Sequence, residues 1–334
     1  MNLPPIIKTL INAAVLVLAV LPLTAAIMTW LERRISAFIQ DRLGPNRVGP
    51  QGLLQPIADL MKFIWKEDMV PGHVNKALYI IAPVLSLVPA MIVFGVVPYA
   101  RGMAVANLNI GILYAFAIAS VSIYGVTIGG WASNSKYSLL GGVRASAQMI
   151  SYELAMGLSV VPVFLLVGDL NLETIVQWQA NHVWLVVPLF PAWVIFLIAS
   201  YAETNRLPFD IPEAEQELVA GYHTEYSSMK FALFFLAEYI HMVTASALTV
   251  TLFFGGYTLP FVELPAGVWG VVLSGLIFMA KTGFFLFLFI WVRWTLPRFR
   301  YDQLMNLGWK FMLPASVVVI IATAAVLVVI ATVA

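Results

Sequence analysis

Eight stretches of this chain, near residues 6–31, 76–98, 109–131, 143–167, 182–203, 229–254, 267–296 and 307–332, are continuously apolar. Each is close to or beyond the roughly 20 residues that a helix needs to cross about 30 Å of hydrocarbon. In lipid every backbone N–H and C=O must be paired within the segment, so runs of this kind fold as helices or not at all. Their hydrophobicity is unbroken where a β-barrel would alternate. The fold class expected is therefore an all-α, polytopic membrane protein with about eight transmembrane helices plus amphipathic interfacial helices in the inner loops, forming one domain over 1–334. The first run lacks an early basic cluster, and the expectation is an anchor that is retained.

Composition sharpens this. Of 334 residues 61% are hydrophobic and only 10% charged, against about a quarter charged in soluble domains. Cysteine is absent, which excludes disulfides and thiolate ligation of zinc or iron–sulfur clusters by this chain. The four histidines, His73, His182, His223 and His241, form no i, i+4 pair, so redox chemistry has to borrow its centres from partners. No paired, interrupted helices suggest an inverted repeat.

The cations are lopsided. Connections after the first, third, fifth and seventh spans, with the span ends beside them, carry fifteen of the eighteen Lys and Arg residues; the other ends carry Lys8 and Arg101, and Lys281 lies within a span. The positive-inside rule puts the basic loops in the cytoplasm (or mitochondrial matrix) and both termini outside. In the first inner loop RLGPNRVGPQG is rich in turn formers. Behind it Gln55, Asp59, Lys62 and Lys66 recur at helical spacing opposite Leu54, Ile57, Met61, Ile64 and Trp65, a pattern that suits a helix in the membrane interface. Such a helix either docks a loop or forms the lip of a cavity for an amphiphile.

Charge is densest over residues 202–239, where Glu203, Asp210, Glu213, Glu215, Glu217, Glu225 and Glu238 surround Arg206 and His223. Asp210-Ile-Pro-Glu213 reads as a helix start with a capping box. If the helix is regular, Asp210, Glu213 and Glu217 share a face and repel one another, which calls for counter-cations or protons. Glu153, Glu238 and Lys281 fall well inside spans, and Glu32 and Glu203 at inner ends. Acids at such depth point into the bundle, where they mark proton or ion paths or buried pairs, with Lys281 as one available partner. The rim arginines are in part lipid-phosphate anchors.

Four long stretches carry a family resemblance: LERRISAFIQDRLGPNRVGPQGLLQPIADLMKFIWKED (31–68), RASAQMISYELAMGLS (144–159), AETNRLPFDIPEAEQELVAGYHTEYSSMKFALFFLAEY (202–239) and WVRWTLPRFRYDQLMNLGWK (291–310). They closely resemble the H-type membrane subunit of proton-pumping NADH:quinone oxidoreductase, respiratory complex I. The resemblance implies a subunit without a complete active site of its own, forming the membrane part of a quinone chamber. It also implies a proton relay through Glu153, Glu203, Asp210, Glu213, Glu215, Glu217, Glu225 and Glu238. Arg33, Arg42, Lys62, Arg206, Phe231, Arg293 and Arg298 are then expected to line the chamber or its entrance. Quinone is expected as substrate, with no cofactor or metal held by this chain and FMN and iron–sulfur clusters in partner subunits. The expected partners are peripheral-arm and membrane-arm subunits and lipid, not nucleic acid, in a bacterial inner membrane or its mitochondrial counterpart. A membrane subunit of an energy-converting hydrogenase or formate-hydrogen-lyase complex, or a cation/proton antiporter, stays open as an alternative.

Overall fold

A computed structural model describes residues 12–212, 215–260, 262 and 265–333. Its helices are α1 (Asn12–Ile39), α2 (Gln55–Trp65), α3 (Lys76–Val93), α4 (Gly111–Ala132), α5 (Lys136–Val167), α6 (Leu172–Asn181), α7 (Phe190–Glu203), α8 (Ser228–Phe253), α9 (Val268–Thr295) and α10 (Tyr301–Thr332). Seven of them are long and apolar enough to span a membrane, and α7 is a shorter apolar helix. The protein is thus an all-α, multi-pass membrane protein.

Local chemistry sets the ends. Asn171 caps α6, its side-chain oxygen accepting the Glu173 N–H at 2.8 Å, and α5 stops at Gly168 in the left-handed conformation (φ 77°) that glycine adopts without strain. The expected span 182–203 is helical only from Phe190. Pro188 and Pro191 have no N–H to offer, and Gln179 pins the chain before them. Its Oε1 accepts from the Leu185 N–H (3.1 Å) and the Gly255 N–H (2.9 Å), and its Nε2 donates to the Thr251 carbonyl (3.0 Å). The resulting helix of 14 residues is about 21 Å long, short of the hydrocarbon thickness. At the other extreme, α1 runs past the expected end at Leu31 to Ile39, which draws Glu32 and Arg33 into the helix.

The bundle is built around α8. Its most apolar window is 61% buried, against 6% for α10, and it packs on α1, α3, α7 and α9. Helices α3, α4 and α5 form a sheaf beside it, and α5 also meets α7 and α10. Small residues let these helices approach closely. At Gly125 of α4 a Cβ would lie 2.3 Å from Ser86 Oγ and 2.5 Å from the Ser86 backbone nitrogen of α3. The amphipathic α2 forms as its periodicity predicts and lies against α1 and α8, yet it buries none of its own residues.

Candidate functional site

The least expected group of charges sits at the end of the bundle that carries the basic loops. Glu32 of α1 is 4% exposed and Arg206, just beyond α7, is 3% exposed. Arg206 Nη1 donates to both Glu32 oxygens, at 2.9 and 2.8 Å. Arg293 of α9 donates to Glu32 Oε1, and the Tyr239 hydroxyl of α8 donates to Oε2 at 2.7 Å. Arg206 Nε in turn pairs with Glu238 of α8, while its guanidinium lies 4.4 Å over the Tyr239 ring. Burial by itself would weaken the charge on Arg206, but Glu238 and Glu32 outweigh it and hold the guanidinium more firmly protonated than a free one. Two carboxylates and two guanidiniums from four elements thus close into a cluster that is neutral as a whole.

Glu238 leads inward. It lines a cavity of about 30 Å³ together with Ser86, Ser122, Glu203, Thr204, Asn205 and His241. A second cavity of about 20 Å³ shares Glu203, Thr204 and His241 and continues along α8 to Thr244 and Leu248. Glu153, half-buried on α5, is near enough to Glu203 for the two carboxylates to interact. The end of α7 with Glu203 and the loop beyond it with Arg206 are held to α5 by Gln148, whose Nε2 donates to the carbonyls of Ala202 (2.8 Å) and Phe209 (2.7 Å).

The remaining acids are dispersed. Asp210 accepts from Arg298 Nη2 at 2.8 Å, and Glu217 accepts from Arg144 Nη1 at 2.7 Å on an exposed surface. Glu225 is half-buried, and its backbone carbonyl accepts the Tyr79 hydroxyl at 2.6 Å. Glu213 lies outside the described residues, and of Glu215 only the backbone is described. The regular helix expected from Asp210 does not form among the described residues, where helix is limited to Glu215–Leu218. Asp210 therefore turns to Arg298 and does not share one helical face with Glu217. Among the described residues Lys281 partners no glutamate: its ammonium donates to the carbonyls of Phe254 (2.7 Å), Gly256 (3.0 Å) and Thr258 (2.5 Å) beyond the end of α8.

Of the residues expected to line a chamber, Arg206 and Arg293 belong to the buried cluster and Arg298 to Asp210. Arg33, exposed, donates to Asp59 Oδ2 at 2.6 Å and ties α1 to α2. Arg42 and Lys62 are exposed, and Arg42 Nε donates to Gln40 at 2.7 Å. Phe231 packs 6.2 Å from Phe63 of α2 and 5.9 Å from Phe235. Beside them α2 presents Ile57, Leu60, Ile64 and Trp65 uncovered, with Leu54 just before it. Cations, aromatic rings and apolar surface therefore meet where α1, α2 and α8 come together. The sequence reading missed three participants, namely Glu32 as the hub of the cluster, Tyr239, and His241. An acid two turns inside the true end of α1 was the available signal, hidden because the first span was ended at residue 31.

A family model described as NADH dehydrogenase matches residues 11–324. The chain is 52% identical over 319 residues to NADH-quinone oxidoreductase subunit 8 of Rhodothermus marinus, covering 90% of this chain and 92% of that one. It is 50% identical over 326 residues to an NADH-quinone oxidoreductase subunit of Salinibacter ruber, covering 94% of each. With NADH-quinone oxidoreductase subunit 8 of Thermus thermophilus the identity is 51% over 318 residues, 93% of this chain and 85% of that one.

Proposed function

The chain belongs to the NADH dehydrogenase family, among the membrane subunits of NADH-quinone oxidoreductase, and from that premise we propose that it couples quinone chemistry to proton translocation. In this reading the apolar and cationic surface of α1, α2 and α8 forms the membrane part of the quinone chamber. An isoprenoid tail would lie against Ile57, Leu60, Ile64 and Phe231, with Arg33, Arg42 and Lys62 at the polar mouth. The donors for the quinone head group, and the flavin and iron–sulfur centres that bring electrons from NADH, belong to neighbouring subunits. A chain without cysteine has no thiolate ligands for such clusters.

The observation that carries the proposal is the double membership of Glu238, which is paired with Arg206 in the buried cluster and stands in the cavity wall with Glu203 and His241. A carboxyl in an apolar bundle loses solvation when charged, so its protonation follows the charge of its neighbours. When quinone is reduced beside the basic end and takes up protons, the local charge changes. The neutral cluster repartitions its pairing, Glu238 shifts its hold on a proton, and Glu203 and Glu153 follow. Asp210, Glu213, Glu215, Glu217 and Glu225 are the corresponding acids on the loop side.

The test is to carry Glu238→Gln and, separately, Glu203→Gln in the assembled complex, reconstituted in sealed vesicles. Inhibitor-sensitive NADH:quinone reduction and the protons moved per electron are then measured together. The expected result is pumping lost out of proportion to quinone reduction. Full reduction with full pumping in both variants would overturn the relay.

A further inference from the structure

Some buried polar atoms have no protein hydrogen-bond partner among the described residues, and three of them, Ser86 Oγ, His241 Nε2 and Thr244 Oγ1, lie along one tract. Ser86 and Thr244 are each 4% exposed. Ser86 and His241 stand in the wall of the cavity of about 30 Å³, and His241 and Thr244 in that of the cavity of about 20 Å³. An unpaired polar group in a bundle this apolar is strongly unfavourable, and such groups normally have a partner. A water needs about 10–15 Å³ of space and two to four polar contacts. Both cavities meet these conditions, since Glu203, Thr204 and His241 belong to each, Glu238 and Ser86 to the first, and Thr244 to the second.

Glu238, His241 and Thr244 follow at intervals of three on α8, so they share one face and span about 9 Å of helix. Beyond Thr244 the second cavity is walled by Phe116, Phe196 and Leu248, which offer no hydrogen bond.

We propose that His241 binds ordered water in both cavities and bridges them, so that a hydrogen-bonded line runs from Glu238 past Glu203 to Thr244 and ends at an apolar plug. This rests on the relay reading for its purpose, though the water site itself stands on the cavity walls alone. Each water accepts one proton and passes on another. The imidazole does the same, taking a proton on one ring nitrogen and giving one up from the other, so no charge need stay in the tract. Its effect is to keep Glu203 in proton exchange without opening the bundle to the far side.

The experiment combines two readouts on the assembled complex. A map of the unmodified complex at water-resolving resolution is expected to show ordered water against His241 in both cavities. In sealed vesicles His241→Leu is expected to lower protons moved per electron while quinone reduction persists, and His241→Gln, which still hydrogen-bonds water, to retain pumping. Dry cavities, or a His241→Leu complex that pumps like the unmodified one while Glu203→Gln does not, overturn the inference and leave the relay standing. If Glu203→Gln and Glu238→Gln both pump normally as well, the relay reading fails, and the water site is then decided by the map alone. The map decides likewise if His241→Leu does not assemble.

Discussion

Replacing Arg206 by Met tests whether the buried cluster is energetically one unit. Arg206 gives Glu32 two of the four hydrogen bonds that carboxylate receives, the others coming from Arg293 and Tyr239. It is also the guanidinium that Glu32 and Glu238 share, with side-chain exposures of 2% for Arg206, 5% for Glu32 and 13% for Glu238. Removing one partner from a pair this buried typically costs about 3–5 kcal/mol, because a charge is left behind in a medium that solvates it poorly. Glu32→Gln leaves the opposite imbalance, two guanidiniums against one carboxylate, and costs a similar amount. The double variant keeps Glu238 and Arg293, one charge of each sign. Its loss should therefore fall short of the sum of the single losses by roughly 2–3 kcal/mol, the upper part of the range for residues in direct contact. The assay is the rate of irreversible breakdown of the purified complex at fixed temperature for the four proteins, each decade in rate corresponding to about 1.4 kcal/mol of barrier. Log rates that simply add would refute the reasoning, since independent sites add to within about 0.5 kcal/mol.

Three further outcomes follow from the packing and the caps. Gly125→Ala places a methyl 2.3 Å from Ser86 Oγ and 2.5 Å from its backbone nitrogen, so α3 and α4 must part; a loss of about 1–3 kcal/mol is expected, read as faster thermal breakdown of the complex. Lys281→Met removes a cation from three carbonyls and should raise amide exchange over residues 254–258, whereas exchange unchanged there would mean the loop is held by other contacts. The carboxyl of Asp169 is held below its usual range, first by the Asn171 backbone N–H and also by that of Leu170. A depressed carboxyl contributes stability above its unfolded pKa, near 3.8, and loses it as pH falls through the lower folded value. Protection of the Leu170 and Asn171 amides should therefore fade below about pH 4, and Asp169→Asn should abolish that dependence.

What the sequence made legible is local. Seven long apolar helices and the amphipathic α2 follow from periodicity, because a run of about 20 apolar residues or a two-sided pattern is decided within one segment. The shortening of α7 was legible only in part, since Pro188 and Pro191 are local signals but Gln179 reaches the Thr251 carbonyl 72 positions away. The depth of Glu153 and Glu238 could be read from their position in apolar runs. Their company could not, since Glu32 lies 174 positions from Arg206, 207 from Tyr239 and 261 from Arg293. Arg206 and Arg293 read as rim cations because a lone arginine near a helix end has the same local signature whether it meets a phosphate or a buried acid. His241 stood in the sequence only as one of four histidines without an i, i+4 partner, and its place in the walls of two cavities emerges from the packing.

The proposed relay needs a series of acids for a physical reason. At an effective dielectric constant near 20, a unit charge about 10 Å away contributes roughly 1.7 kcal/mol, a little over one pKa unit. At twice the distance, or across the Debye screening of the aqueous face, the effect on protonation becomes too small to command a proton. On the proposed reading, a single glutamate in the bundle could therefore not sense a quinone at the α2 surface. A series in which each group moves its neighbour by about one unit can, provided that the first member is neither fixed in charge nor lost to solvent. In the relay proposed above that member is the Glu32–Arg206–Glu238–Arg293 cluster, which balances as a whole while Glu238 pairs with the shared guanidinium and lines the inner cavity. A lysine in place of Arg206 keeps the charge but not the forked geometry that lets one cation address two carboxylates. Arg206→Lys should accordingly assemble better than Arg206→Met and still pump fewer protons per electron than the unmodified complex; equal pumping would mean that charge alone, without the fork, is what the relay requires.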